Sequence, residues 1–306
     1  MNYELAIIGA GPAGFTAAIY AVRAGIKTVL IDKGMGGGLA SVSPKIDNYP
    51  GFESISGIDL MEKMKQHASK YTQINFGEEV KKIEKIEDKF KIVTDKETYN
   101  TKAIILCMGT EYRKLNAPGE KELSGKGVSF CATCDGYFFK GKKVAVIGGG
   151  NSALIEAIFL KQIGCNEVFL IHRRDQLRAE KIYQDEAIQK GVKIIYNTHV
   201  ESIHGNQKVE YLEVQDVKTK NKSKITIDGV FVSIGEEPQN ILAKELNCKI
   251  DEKGYIIVDK KQRTNIKGVY AAGDVTGGLR QIITACASGA VAALTSTEVL
   301  GKQYPY

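Results

Sequence analysis

The stretch Leu5-Ala-Ile-Ile-Gly9-Ala-Gly11-Pro12-Ala13-Gly14-Phe15 decides the fold of this chain. Its apolar opening suits a strand buried on both faces, and the alanine-rich run to Ala24 suits a helix. Between them Gly9 allows a tight turn, Gly11 lets the backbone approach a pyrophosphate, and Gly14 lets helix and strand pack. Pro12 and Ala13 lie within this turn, read as Gly9 to Gly14, and the helix is read from Phe15 to Ala24, its N-terminus stabilising phosphate charge. Gly25 ends it, and Lys27 to Ile31 reads as the parallel return strand. A glycine-rich turn alone is weak evidence; a strand before it and a helix after it make a dinucleotide signature. Asp32 follows where a carboxylate accepts from a ribose hydroxyl and repels an added 2′-phosphate, which favours FAD or NAD over NADP.

The same unit returns. Lys143 to Ile147 reads as a strand, and Ser152 to Gln162 as a helix ending near Gly164. Gly148, Gly150, Asn151, Ser152 and Ala153 form the turn, and Glu167 to Ile171 is the return strand. In place of Asp32 this copy has His172-Arg173-Arg174, with Arg178 one turn further on. Guanidinium groups pair bidentately with phosphate, so the cluster reads the 2′-phosphate of NADPH. One site avoids that phosphate and the other seeks it, which points to FAD in the first and NADPH in the second.

Further apolar strands, Lys102 to Met108 and Gly229 to Ile234, end in Gly109 and Gly235 and return to the cofactor edge of each sheet. Alternating segments near Lys82 to Asp95 and Val209 to Ile227 read as β-meanders. The strand within Gly268 to Asp274 and the helix Thr284 to Leu300 have no counterpart in the middle unit and are assigned to the first. The expected fold is α/β, with two Rossmann-like three-layer (ββα) dinucleotide-binding domains. The FAD domain is discontinuous, 1–113 and 243–306, and the NADPH domain, 114–242, is inserted within it. The expected crossings are Arg113 to Pro118 and Pro238 to Leu242.

Cys131-Ala-Thr-Cys134-Asp135 lies just upstream of the second turn. Its spacing allows an intramolecular disulfide, and close dithiols lower one thiol pKa. Asp135 is placed to trade a proton with a thiol, or simply to cap a helix. Cys107, Cys165, Cys248 and Cys286 sit in or beside apolar elements and read as small buried hydrophobes. His67, His172, His199 and His204 are scattered, so zinc finds no second ligand pair and no metal is expected. Asp274, after Gly273, suits a ribityl hydroxyl, and the helix starting near Gln281 would aim its N-terminus at the electron-rich end of a reduced flavin.

Composition sets the remaining bounds. The chain has 306 residues, 43% hydrophobic and 25% charged, with net charge +6. The basic residues are spread, with no aromatic-studded stripe, so nucleic acid is discounted; a mildly basic surface suits an acidic protein partner. No apolar run approaches the roughly eighteen residues of a membrane span, and no basic leader precedes Leu5. A cytoplasmic protein without membrane contact is expected. Six cysteines are too few for a secreted disulfide scaffold.

Together these residues resemble the low-molecular-weight thioredoxin reductases of bacteria, within the class-II pyridine nucleotide-disulfide oxidoreductases, and the likeness covers essentially the whole chain. It rests on Cys131 to Gly136, on His172-Arg173-Arg174 with Arg178, on Asn48 to Phe52, and on Gly273-Asp274-Val275 with Arg280-Gln281. The resemblance implies NADPH-dependent reduction of thioredoxin by a homodimer with one FAD per chain. It implies Cys134 nearest the flavin, Cys131 attacking the partner disulfide, Asp135 as acid/base, and rotation of one domain against the other. It adds Gly37, Gly38, Leu39, Asn48, Gly109, Val275, Arg280, Gln281 and Ile282 to the FAD contacts, and Ile234 and Gly235 to those of NADPH. Three features depart from the family. Gly38 stands where a glutamine is usual, Ile155 where a glutamate is common, and the loop from Thr276 to Leu279 is about a residue short. The alternatives are a related flavoprotein serving ferredoxin, a peroxiredoxin or a glutaredoxin-like partner, and a redox sensor without turnover. The dithiol argues against a plain ferredoxin reductase and the arginines against a ferredoxin-fed one. A peroxiredoxin-dedicated enzyme is expected to carry a module ahead of the turn at Gly9.

Overall fold

The computed structural model describes residues 1–43 and 46–303. The chain divides into two compact units, one formed by Met1–Glu111 with Glu237–Tyr306, the other by Tyr112–Glu236.

In the first unit, Leu5–Ile8 is the central strand of a five-stranded parallel sheet. Leu5 pairs with Thr28 on one edge and with Ala103 on the other, and all four residues of the strand are buried because a layer packs on each face. The full order is Val269–Ala271, Ala103–Leu106, Leu5–Ile8, Thr28–Asp32 and Ile74–Phe76. Leu5, Ile7, Leu30 and Ile105 pack against the helices Pro12–Arg23 and Ile282–Leu300. Ala6, Ile8, Val29 and Leu106 face the other way, onto Ile83, Phe90, Ile92 and Tyr99 of an antiparallel sheet. That sheet, Val80–Ile86, Lys89–Thr94 and Thr98–Thr101, alternates buried and less buried residues along Lys89–Thr94, as a half-covered strand must. The layers are therefore antiparallel sheet, parallel sheet and helices.

The second unit repeats this. Its parallel sheet runs Lys193–Ile195, Glu167–Ile171, Lys143–Gly148, Gly229–Ser233 and Val128–Ser129. Val144, Val146, Leu170 and Phe231 meet residues of the helices Asn151–Gln162 and Lys181–Gln189. Ala145, Ile147, Ile171 and Val232 meet the antiparallel strands Thr198–His204, Tyr211–Asp216 and Lys222–Thr226. The chain passes between the units through Thr110–Tyr112 and Glu236–Pro238, short strands that pair with each other.

One expectation needs correction. The helix Ile282–Leu300 has 19 residues and is long and apolar enough, by length and composition, to cross a membrane. Its small residues explain the length of its apolar run: Ala285, Cys286, Ala292 and Ala293 are buried in the first unit's core. A Cβ at Gly289 would lie 2.2 Å from the Ala13 carbonyl oxygen, so this helix packs backbone to backbone on Pro12–Arg23. Sequence periodicity did not reveal the helix Gly57–Ser69, whose cap is Ser56, its Oγ accepting from the Asp59 amide at 3.1 Å. Nor did it reveal the edge strands Ile74–Phe76, Lys193–Ile195 and Val128–Ser129, which are too short to show a period.

Candidate redox site and dinucleotide turns

The first turn uses its glycines differently. A Cβ on Gly9 would lie 2.3 Å from the Cys107 carbonyl oxygen, and one on Gly14 would lie 1.9 Å from that of Gly9. These two are required by packing. Gly11 has nothing within 4 Å of its Cβ position, so the turn leaves open space where a pyrophosphate would approach the helix start. Pro12 and Ala13 already belong to the helix Pro12–Arg23, which starts three residues earlier than the expected Phe15, because proline's fixed φ suits the first helical position. Asp32 closes the site from the end of its strand: Oδ2 accepts from the Ala10 amide at 2.6 Å and Oδ1 from the Gly34 amide at 2.8 Å. A carboxylate offers about four acceptor positions, so two remain for ribose hydroxyls. Gly37 donates its amide to Ala10 at 2.7 Å, which brings the 36–38 glycines against the turn. All three have left-handed backbones, and a Cβ on Gly38, at φ +56°, would stand 3.8 Å from the Gly11 Cα. Leu39 follows in a short 3-10 segment.

The last part of the chain joins this turn. Gly273 lies with its Cβ position 2.9 Å from that of Ala13 and donates its amide to Ser288 Oγ at 2.9 Å. Burial pushes Asp274 up to about 6. Val275 beside it is buried. Gln281 caps Ile282–Leu300, its side chain accepting from the Thr284 backbone while Thr284 Oγ1 accepts from the Gln281 amide at 3.2 Å. Asn48 donates to Gln281 Oε1 at 3.1 Å, and Arg280 donates to the Tyr255 hydroxyl at 2.9 Å. Gly109, at φ +66°, has no neighbour at its Cβ position and accepts from the Gln239 amide at 3.0 Å. The residues fit a dinucleotide with a polyhydroxyl chain: an open glycine at a helix start, a carboxylate with spare acceptor positions, and a second, half-buried carboxylate.

The second turn has the same division. Gly148 is held by packing, its Cβ position 2.4 Å from the Ser233 carbonyl oxygen and 2.6 Å from Ala153 Cβ, whereas Gly150 is open. Asn151 is occupied by Glu180, donating to Oε1 at 2.7 Å and accepting from the Glu180 amide at 2.8 Å. Ser152 is exposed in the first helical turn. Arg178 and Ala179 donate their amides to the Gly149 carbonyl oxygen at 2.8 and 3.2 Å, folding the 172–179 loop onto the turn. Arg173, Arg174 and Arg178 are exposed beside it. His172 differs from them: it is buried against Gly149 and its Nε2 donates to the Gln176 carbonyl oxygen at 3.0 Å. Burial, reinforced by Arg174 and Arg178, holds its pKa below the usual value, so the ring is neutral near pH 7. It supports the loop from inside while the guanidinium groups face outward. The open Gly150 and the exposed arginines fit a phosphorylated dinucleotide. Ile234 is half-buried beside Gly235, which at φ +107° accepts from the Arg113 amide at 3.0 Å.

Cys131 and Cys134 form a disulfide, with Cα atoms 5.3 Å apart. Cys131 ends the stretch after Val128–Ser129 and caps the short helix Ala132–Asp135, its carbonyl accepting from the Cys134 and Asp135 amides at 3.2 and 3.1 Å. Both cysteines keep partial exposure. Gly136 allows this turn to lie flat on Asn151–Gln162: a Cβ there would meet Ile163, Leu160 and Phe159 at 3.0–3.2 Å. Ser129 donates to Asp135 Oδ2 at 2.6 Å and accepts from the Cys131 amide at 3.1 Å. Sequence reasoning missed Ser129, since a serine two residues ahead of a dithiol carries no motif. Cys107, Cys165, Cys248 and Cys286 are free and buried, and burial pushes their thiols up, Cys165 to about 11. Among the described residues, no group of three or more His, Cys, Asp and Glu is placed to hold a metal ion.

Two dinucleotide turns and a Cys-x-x-Cys disulfide on one chain define a nicotinamide-linked disulfide oxidoreductase. The family model for the pyridine nucleotide-disulphide oxidoreductases matches residues 3–289, and the chain belongs to that family. It is 42% identical over 295 residues to a thioredoxin reductase of Bacillus subtilis, covering 95% of this chain and 92% of that one. It is 43% identical over 301 residues, 97% of each chain, to the 34.2 kDa protein in the rubredoxin operon of Clostridium pasteurianum. The crystal structure of thioredoxin reductase from Streptococcus pyogenes superposes with a TM-score of 0.93 at 40% identity, covering 98% of both chains.

Proposed function

We propose that this chain reduces the disulfide of thioredoxin with electrons from NADPH. FAD would be held at the first turn by Gly11, Asp32 and Asp274, and NADPH at the second by Gly150, Arg173, Arg174 and Arg178. The observation that carries the reading is the partly exposed Cys131–Cys134 disulfide, in the same unit as the arginine-lined turn. When bound, the nicotinamide and flavin supply the electron pair that opens this disulfide.

The chain's own residues do the rest. Cys131, as thiolate, attacks one sulfur of the partner disulfide; a Cys131–partner bond forms as the partner's own S–S bond breaks. Cys134 then attacks the Cys131 sulfur, closing the Cys131–Cys134 disulfide and releasing the partner's second thiolate. Two electrons pass to the partner, and Asp135 relays protons to and from the sulfurs. The 42% identity to a named thioredoxin reductase across most of both chains supports this acceptor. In this reading the protein is a cytoplasmic homodimer with one FAD per chain.

The test is anaerobic NADPH oxidation with and without thioredoxin, followed at the nicotinamide absorbance. Turnover that requires thioredoxin is expected. Flavin reduction that stalls after one equivalent would overturn the acceptor, and no flavin reduction by NADPH would overturn the donor.

A further inference from the structure

Ser129 is 5% exposed and is pinned in the edge strand Val128–Ser129, where it pairs with Phe231. Its hydroxyl has three neighbours. It donates to Asp135 Oδ2 at 2.6 Å, it accepts from the Cys131 amide at 3.1 Å, and the Cys131 carbonyl oxygen lies 3.4 Å away as a second acceptor. A serine hydroxyl has one proton to donate and two lone pairs to accept with. While Asp135 is ionised, the hydroxyl gives its proton to Oδ2 and keeps the Cys131 amide. When Oδ2 is protonated, that contact cannot remain as it is, because two donors would face each other.

The second acceptor resolves this. The hydroxyl turns its proton to the Cys131 carbonyl and accepts from both Oδ2–H and the Cys131 amide. The carbonyl then shares its two lone pairs among this hydroxyl and the Cys134 and Asp135 amides already on it. Every donor in the group is then satisfied in either state of Asp135, without movement of a heavy atom. We propose that Ser129 is a positioning residue whose hydroxyl turns between Asp135 and the Cys131 carbonyl as Asp135 loses and gains its proton. Asp135 thereby keeps one orientation beside the dithiol throughout the proton cycle. When the acid form passes its proton to a sulfur, the Asp135 O–H bond breaks, an S–H bond forms, and the Ser129 proton swings back to Oδ2; no electrons move. This rests on the proposed role of Asp135, and the experiment separates the two.

The test uses the flavin-loaded protein reduced with dithiothreitol, in wild-type, Ser129→Ala, Ser129→Thr and Asp135→Asn forms. The rate of alkylation of Cys131 by iodoacetamide is measured against pH, with peptide mass spectrometry to assign the site. The step that vanishes in Asp135→Asn belongs to Asp135. Losing a donor to a carboxylate disfavours its ionised form, so Ser129→Ala is expected to move that step up by about one pH unit. Ser129→Thr, which keeps the hydroxyl, is expected to restore it. In the Asp135→Asn background, Ser129→Ala is expected to change nothing further. An unmoved step in Ser129→Ala overturns the proposal, as does an equal shift in Ser129→Thr. Absence of any Asp135 step in the wild type overturns it together with the role of Asp135. Thioredoxin turnover is measured on the same preparations. Its failure in a wild type that shows the Asp135 step removes the acceptor and leaves Ser129 to be judged by alkylation.

Discussion

Asn48 donates to Gln281 Oε1 at 3.1 Å, joining residues 233 apart. The contact locks an early loop to the cap of the first unit's last helix. That helix packs through Gly289 onto the helix after the first turn. Residues far apart in sequence thus meet in the first unit, at the proposed flavin site, with the second unit contained between them in sequence.

Replacing Cys134 by serine is expected to leave flavin bound and thioredoxin turnover abolished. Cys131 still attacks, but nothing resolves the mixed disulfide. A covalent adduct of Cys131 with thioredoxin, seen on a non-reducing gel, is the expected result; retained turnover would remove the relay.

Arg173→Ala with Arg174→Ala is expected to raise KM for NADPH about 10- to 100-fold, the loss of one or two charge-assisted hydrogen bonds. KM for NADH, which has no 2′-phosphate, is expected to change little. Steady-state kinetics with both nucleotides decides it, and equal effects would remove the phosphate assignment.

Gly150→Ala and Gly289→Ala separate ligand approach from packing. The first adds a methyl where nothing lies within 4 Å, so urea unfolding of the nucleotide-free protein is expected to stay as in wild type while KM for NADPH rises. The second forces a Cβ within 2.2 Å of a backbone oxygen and is expected to cost about 1–3 kcal/mol in the same unfolding measurement.

Asp274 makes stability depend on pH in the direction opposite to a salt-bridged carboxylate. Burial raises its folded pKa from 3.8 to about 6, so the folded state holds the proton that the unfolded chain releases. Below about pH 4 both states are protonated and there is no cost. As pH rises from there through 6, ionising the buried group destabilises the flavin-free protein, by ~3 kcal/mol at most and less because Asp274 stays partly exposed. Asp274→Asn is expected to raise the Tm of the flavin-free protein above pH 6 and leave it unchanged near pH 4. A Tm gain of equal size at both pH values would rule the carboxylate's ionisation out as its cause. Flavin affinity, measured by fluorescence titration, is expected to fall in the same variant.

Both βαβ units, the dithiol and the arginine cluster were legible in the sequence because each is encoded within a few consecutive residues. Turn geometry needs glycine at fixed offsets, a disulfide needs a short spacing, and strand and helix periods show directly in apolar residues. Tertiary structure alone decided how the groups are used. Asp32 divides its oxygens between the Ala10 and Gly34 amides, Asn151 is committed to Glu180, and His172 is buried under the loop whose arginines face outward. Ser129 lies only six residues from Asp135, yet their contact depends on the edge strand beside Phe231 meeting the turn of the dithiol. Gly289 looked like any small helical residue until Ala13 stood against it. Local backbone chemistry can be read along the chain; a hydrogen-bond partner or a close approach depends on which elements pack together, and that is settled only when the layers close.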